Sequence, residues 1–403
     1  MESDQFMPQL LVVLGTTLTA LTLPLVLELF TVTSLFFLAP RKRSRGDVVS
    51  PRLTVVVPAH DEEALIATCV ESLLHSAQGG ARVLVVAHNC HDATAEQAVK
   101  AGAELLVCND PGLTGKGHAL RHGFNRALED GAEAVLVVDA DSVVSENLIP
   151  EVLESLSGGT AAVQCRYEML SADQTTRGRL ASLAFRAFGL IRPAGRDRLG
   201  LSAGIAGNGF ALSARLLNKV PYEAFSVVED LEYHLHLVMA GEKVRFVQGA
   251  VVTSFFPTSS TGEVSQQSRW QGGRLLVARK YLPSMLARIV KGQFRMVEPA
   301  LDLAGLPLAF GVAALLAEAL IPLHWVHVYV LIALSVIAAH VMAAAWAGPD
   351  PFGTLRLLVR VPFYILWKFK LVPELLKAST SRATWVRTDR DTTMPSRADG
   401  NTV

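Results

Sequence analysis

No Cys-x-x-Cys pair occurs in the 403 residues, and the four cysteines, Cys69, Cys90, Cys108 and Cys165, are scattered. Their spacing argues against a zinc ribbon or a disulfide framework and fits reduced thiols in the core of a cytosolic domain. His88, Cys90 and His91 lie close together but lack a recognisable fourth metal ligand. Excess charge of either sign is also missing: 37 Lys and Arg face 37 Asp and Glu, so no global field draws the chain to nucleic acid. Neither G-x-G-x-x-G nor G-x-x-x-x-G-K-[ST] follows the first strand-like run, which counts against a dinucleotide or P-loop enzyme. Apolar residues, by contrast, make up 50% of the chain, more than a purely soluble protein of this length needs.

Residues 8 to 39 are almost wholly apolar and are followed at once by RKRSR. The run exceeds the roughly 20 residues that cross hydrocarbon, and the trailing bases predict a span over residues 1–40 with its C-terminal end in the cytoplasm. A signal peptide is the rival, but the run is too long for one and the leading MESD is acidic. Glu28 within the run must face protein, water or the interface. Two further apolar runs, about 303–321 and 325–347, are joined by PLHW and predict two more spans within 301–348. Residues 281–300 and 351–403 mix bases with large apolar side chains, which predicts interfacial helices and a cytoplasmic tail, with a fourth span in the latter as the less favoured reading. Three spans are too few to enclose a pore, so export of any polymer would fall to an oligomer or a partner protein.

Between the anchors, residues 50–280 predict a cytoplasmic domain. LTVVVPAH, ARVLVVAHNC, AELLVCND and EAVLVVDAD read as strands, with three helix-like stretches between them. This βαβαβαβ order predicts an α/β fold with a mostly parallel sheet and helices on both faces. Ligands then bind beyond the carboxyl ends of the strands, where Asp61, His88, Asp110 and Asp139 gather.

Asp139 and Asp141 form an Asp-x-Asp, suited to a hard divalent cation held beside substrate phosphates, although the same triplet also ends strands and caps helices. LTGKGHAL surrounds Lys116 with glycines that can cover a phosphate, or simply make a turn. GIAGNGFALS offers Asn208, able to bond a sugar hydroxyl, and Gly209 for close backbone approach. Glu229 and Asp230 open a helix-like segment, where acidic caps are common. QQSRW places Gln266, Arg269 and Trp270 just ahead of a membrane-proximal stretch, where Trp and Arg also serve as interfacial anchors.

Taken in order, DAD at 139–141, GNG at 207–209, ED at 229–230 and QQSRW at 266–270 resemble the processive-type family 2 glycosyltransferases, which include cellulose, chitin and hyaluronan synthases. The likeness covers residues 50 to 390. It implies a GT-A fold, Mg²⁺ or Mn²⁺ on Asp139 and Asp141, a nucleotide-sugar donor (a UDP-sugar above all) and inversion at the anomeric carbon. It further implies Asp230 as catalytic base with Glu229 beside it. Donor contacts fall to Asp61, His88, Lys116, Asp139 and Arg269, and acceptor contacts to Asn208, Gly209, Gln266 and Trp270. TWVRTDR resembles the tail of bacterial members and would set Trp385 and Arg387 near the nucleotide as a gate. One departure is His88, at the place where such enzymes carry an acidic residue against uracil. The expected protein is a multi-pass plasma-membrane transferase acting on a glycan or a lipid-linked acceptor. A single-sugar transferase like ceramide glucosyltransferase is the alternative. A catalytically silent assembly subunit is disfavoured by the intact Asp139, Asp141, Asp230, Arg269 and Trp270.

Overall fold

The computed structural model describes residues 2–38, 50–370 and 372–374. Four strands follow the sequence reading: β1 (Leu53–Ala59), β2 (Ala81–His88), β3 (Glu104–Cys108) and β4 (Ala134–Val137). Four more were not read: β5 (Val143–Val144), β6 (Ala162–Ser171), β7 (Phe210–Ser213) and β8 (Arg245–Phe256). Together they form one sheet of order β3-β2-β1-β4-β7-β6-β8-β5. β1 pairs in parallel with β2 and β4, and β2 with β3. β7 runs antiparallel to both of its neighbours, β4 and β6.

The central strands are apolar almost throughout because both faces are covered. Val55, Val57, Val85 and Leu136 pack on one face against Ile66, Cys69 and Leu73 of the Ile66–Ala77 helix. Val56, Val86, Val135 and Val137 pack on the other against Leu120 and Phe124 of the Lys116–Glu129 helix. Burial on both sides removes the alternation that marks a half-exposed sheet.

The N-terminal helix, Glu2–Phe36, and the helix His324–Trp346 are each long and apolar enough to cross a membrane. The run at 303–321 departs from the expected unbroken span. It contains Leu308–Glu318, 11 residues long, bent by 81° from the preceding Phe294–Ala304 segment. Eleven residues rise only about 16 Å, short of a hydrocarbon core of about 30 Å. Pro307 explains the break: it has no amide hydrogen to donate and pushes Leu306 away from helical geometry. The expected boundary at 280/281 likewise falls inside one continuous helix, Ser260–Val290. RKRSR, Trp385 and Arg387 lie outside the described residues.

Glu28 finds protein rather than lipid. It pairs with Arg192 at 2.5 Å and with Arg196 at 3.7 Å, both on the Arg192–Leu199 helix. The same guanidiniums reach Asp302 at 2.8 and 3.3 Å, and Arg196 also pairs with Glu298. Gly195 lies against the N-terminal helix so tightly that a Cβ there would stand 2.4 Å from the Val32 carbonyl oxygen.

The antiparallel register of β7 explains the Gly-Asn-Gly turn. Val137 faces Phe210, so continuing the pairing sets Asn208 opposite Asp139. Asn208 is fully buried. Its Oδ1 accepts the Asp139 amide at 3.1 Å, and its Nδ2 donates to Ser142 Oγ at 2.8 Å and Ser254 Oγ at 3.4 Å. The expected acceptor contact from Asn208 is therefore corrected: its amide is consumed in fixing the exit of β4. Gly209 is likewise engaged through its backbone, donating to Val137 O at 2.9 Å and accepting from Cys165 N at 2.7 Å. Asn208→Ala would leave the Asp139 amide and two hydroxyls with fewer partners and should cost about 1–3 kcal/mol. A lowered thermal midpoint with weaker donor binding is expected; unchanged stability and donor KM would show that the turn holds its shape without the amide.

Candidate active site

Most of the expected groups reach the site from four separate parts of the chain and open on one cavity of about 1900 Å³. Asp139 and Asp141 follow β4, Lys116 begins the helix under the sheet, Glu229 and Asp230 begin the Glu229–Met239 helix, and Arg269 and Trp270 come from the Ser260–Val290 helix. Lys116 Nζ lies 2.5 Å from Asp139 Oδ1 and 3.8 Å from Glu229 Oε1, and donates to the Gly207 carbonyl at 2.6 Å. The lysine thus ties three of the expected motifs together. Gly207 adopts φ +77°, and a Cβ there would stand 3.0 Å from Asp230 Oδ2, so the turn passes the carboxylate at contact distance.

The electrostatics are those of crowded acids. Burial raises Glu229, with the Asp230 charge adding to the effect and Lys116 opposing it. Burial also raises Asp230, against the Leu231 amide and Lys116. Burial disfavours the charged form of Lys116, but Asp139 and Glu229 outweigh it and the ammonium is held above its usual range. Arg269 faces Glu229, Asp139 and Asp230 from across the cavity. Four carboxylates against two cations leave room for further positive charge.

The remaining expected residues divide. His88 is buried at the end of β2 and lines the cavity, its Nε2 without a hydrogen-bond partner. Burial lowers its basicity, so the ring is neutral near pH 7 and keeps one nitrogen to offer a base. Asp61 is turned to local structure, accepting the His91 amide at 2.7 Å. With Cys90 and Asp92 it puts ligand atoms within 4.8 Å of one another, apart from the Asp139–Asp141 pair. Gln266 is buried, lines the cavity, and has an unpartnered Oε1. Trp270 stands 6.2 Å from Phe185, in an aromatic group with Tyr167 and Phe256.

Sequence reasoning missed two groups here. Gln164, buried on β6, donates to Asn208 O at 2.8 Å and accepts the Ala206 amide at 2.9 Å, bracing the Gly-Asn-Gly turn. Lys368 reaches the cavity from the Val361–Phe369 helix and donates to Gln267 Oε1 at 2.8 Å. Neither belongs to a motif. The mixture of bases and aromatics around Lys368 was the one available signal.

Comparison with known proteins agrees with this architecture. A solved mannosyltransferase, PcManGT from Pyrobaculum calidifontis in complex with GDP-Man and Mn²⁺, superposes with a TM-score of 0.56 at 18% identity, covering 92% of this chain and 97% of that one. The likeness shows the fold, which is GT-A. The probable glycosyltransferase YdaM of Bacillus subtilis (strain 168) is 25% identical over 243 residues, 58% of this chain. The matched region spans 57% of that relative's length. The family model described as glycosyltransferase like family 2 matches residues 51–273, the region that carries all four motifs of the site. The chain belongs to the glycosyltransferase family 2.

Proposed function

We propose that this chain transfers a hexosyl group from a nucleotide-diphosphate sugar to an acceptor hydroxyl, with inversion, at the cytoplasmic face of the plasma membrane. The observation that carries the reading is the convergence of Asp139, Asp141, Glu229, Asp230, Lys116 and Arg269 on a cavity that continues between the apolar helices. The acceptor oxygen bonds to the anomeric carbon as the bond from that carbon to the diphosphate oxygen breaks. The electron pair leaves with the diphosphate, and the hydroxyl proton passes to the Asp230 carboxylate.

Asp139 and Asp141 fit a hard divalent cation. Both are oxygen donors on the cavity wall, and the Lys116 ammonium already rests against Asp139, so the position accepts positive charge. Mg²⁺ or Mn²⁺ held there would supply Lewis-acid neutralisation of the leaving diphosphate. Lys116 and Arg269 orient the same phosphates through their ammonium and guanidinium groups. His88 meets the base of a UDP-sugar, the leading donor, through its free ring nitrogen. Gln266 and Trp270 face the acceptor, while the gating role expected of Trp385 and Arg387 falls outside the described residues.

Making exopolysaccharide or another envelope glycan is one use of such chemistry, with export left to an oligomer or a partner. The extension of the cavity among apolar helices favours the second reading, addition of a single sugar to a lipid.

Asp230→Asn should keep donor affinity and lose about 10²–10⁴ in transfer rate, the usual worth of a positioned base. Because burial raises Asp230, the base is lost as pH falls through a value above the ordinary aspartate range, so the acid limb of kcat/KM should lie higher than about 3.9. Near-normal transfer by Asp230→Asn, measured with labelled donor, would remove Asp230 from the role. Excess chelator should stop nucleotide release, with Mn²⁺ or Mg²⁺ restoring it, and Asp141→Asn should weaken both metal and donor binding. Full turnover in chelator would contradict the metal assignment.

A further inference from the structure

We propose that the acceptor is a neutral amphiphile: a long-chain lipid with an uncharged, hydroxylated headgroup, its chains lodged in the apolar end of the cavity and its hydroxyl presented to Asp230. The inference rests on the transfer reading above and narrows its acceptor.

Size is the first argument. Drug-sized ligands occupy pockets of about 300–1,000 Å³, whereas this cavity measures about 1900 Å³ and has space left once a nucleotide sugar fills the end near Asp139. The remaining space is lined by Leu21 and Leu25 of the N-terminal helix, Leu308, Phe310 and Val312 of the short helix, and Ile337. Such a wall gains from hydrocarbon and offers nothing to a sugar chain.

Charge is the second argument, and it separates neutral from phosphorylated lipids. At the waist of the cavity Arg192 and Arg196 are paired with Glu28, Asp302 and Glu298, and Arg274 donates to the Asp302 carbonyl. Lys368 faces Glu263. Among the described residues, the whole cavity wall carries six Lys and Arg against eight Asp and Glu. A divalent cation would bring that balance to neutrality, and the donor diphosphate would then take Lys116 and Arg269. Among the described residues, no cavity guanidinium is left unpaired for a second phosphate, whose charge would add to that of the donor diphosphate. A hydroxyl headgroup has the opposite fit, because it donates to carboxylates such as Glu28 and Glu298 without adding charge.

The test uses the purified full chain in phosphatidylcholine nanodiscs, with a radiolabelled nucleotide hexose that it hydrolyses. Dioleoylglycerol, ceramide and a monohexosyl diacylglycerol are compared with undecaprenyl phosphate and with soluble oligosaccharides. Label should enter the organic phase with at least one neutral lipid, and exceed transfer to undecaprenyl phosphate by about tenfold or more. Equal or greater transfer to undecaprenyl phosphate, transfer to soluble oligosaccharide alone, or no transfer to any neutral lipid overturns the proposal. Nucleotide release without acceptor reads the donor chemistry separately, so its persistence when lipid product is absent leaves the transferase reading standing and removes only the lipid. Ala309→Trp, on the short helix that lines the apolar wall, should cut lipid transfer by about tenfold or more while acceptor-free nucleotide release stays unchanged. Undiminished lipid transfer by this variant would show that the chains lodge elsewhere.

Discussion

The charge cluster between Glu28, Arg192, Arg196, Glu298 and Asp302 fixes the catalytic domain to its apolar helices. Its members come from three separate parts of the chain, and Arg196 is buried. Such groups are costly to desolvate, and withdrawing one partner from a buried pair typically costs about 3–5 kcal/mol because the other is stranded. The cluster therefore adds little net attraction and a great deal of specificity. Arg192 and Arg196 can be satisfied only where the N-terminal helix offers Glu28 and the segment before the short helix offers Asp302. Gly195 makes that docking possible by letting two helix backbones meet.

That fixed docking sets the position of the crowded carboxylates relative to the apolar helices. Asp139 is held from below by Asn208, itself held by Ser142, Ser254 and Gln164. Asp230 is held beside the same turn by the absence of a side chain at Gly207. Asp139 and Asp230 are thus held on two sides of one short loop, so their spacing does not depend on distant domain motion. Lys116 bridges them, and burial keeps both Glu229 and Asp230 less acidic than in water. A carboxylate that resists ionisation is a better proton acceptor when charge-neutralising groups are in place.

The sequence made β1, β2 and β4 legible because strands buried on both faces become unbroken Val and Leu runs, whereas the two residues of β5 and the FALS of β7 carry no such run. Motif order located Asp139, Asp141, Asp230, Arg269 and Trp270 in one cavity. It misassigned Asn208, because an amide flanked by glycines looks the same whether it meets a ligand or a neighbouring strand; only the antiparallel register decides. Residues 303–321 read as one unbroken run because apolar composition does not register the hydrogen bond that Pro307 cannot donate, and the chain bends there by 81°. Glu28 was flagged as needing a partner, but Arg192 lies 164 positions away, beyond any local pattern.

The polar groups among the apolar helices bear on what could pass through them. Thr33 bonds His340 at 2.7 Å, Thr22 bonds Tyr329 at 2.8 Å, and Thr19 donates to Glu318. These are contacts between helices, not a continuous lining. A polysaccharide crossing hydrocarbon needs an enclosed polar path along its whole length, and two long helices with one bent pair enclose no such path among the described residues. A lipid needs far less: an opening beside the helices and a headgroup lifted to the carboxylates. The bent pair at Pro307 suits that demand, because a helix that stops short leaves apolar wall without closing the cavity. The bend at Pro307 therefore leaves apolar wall lining the cavity beside the two long helices.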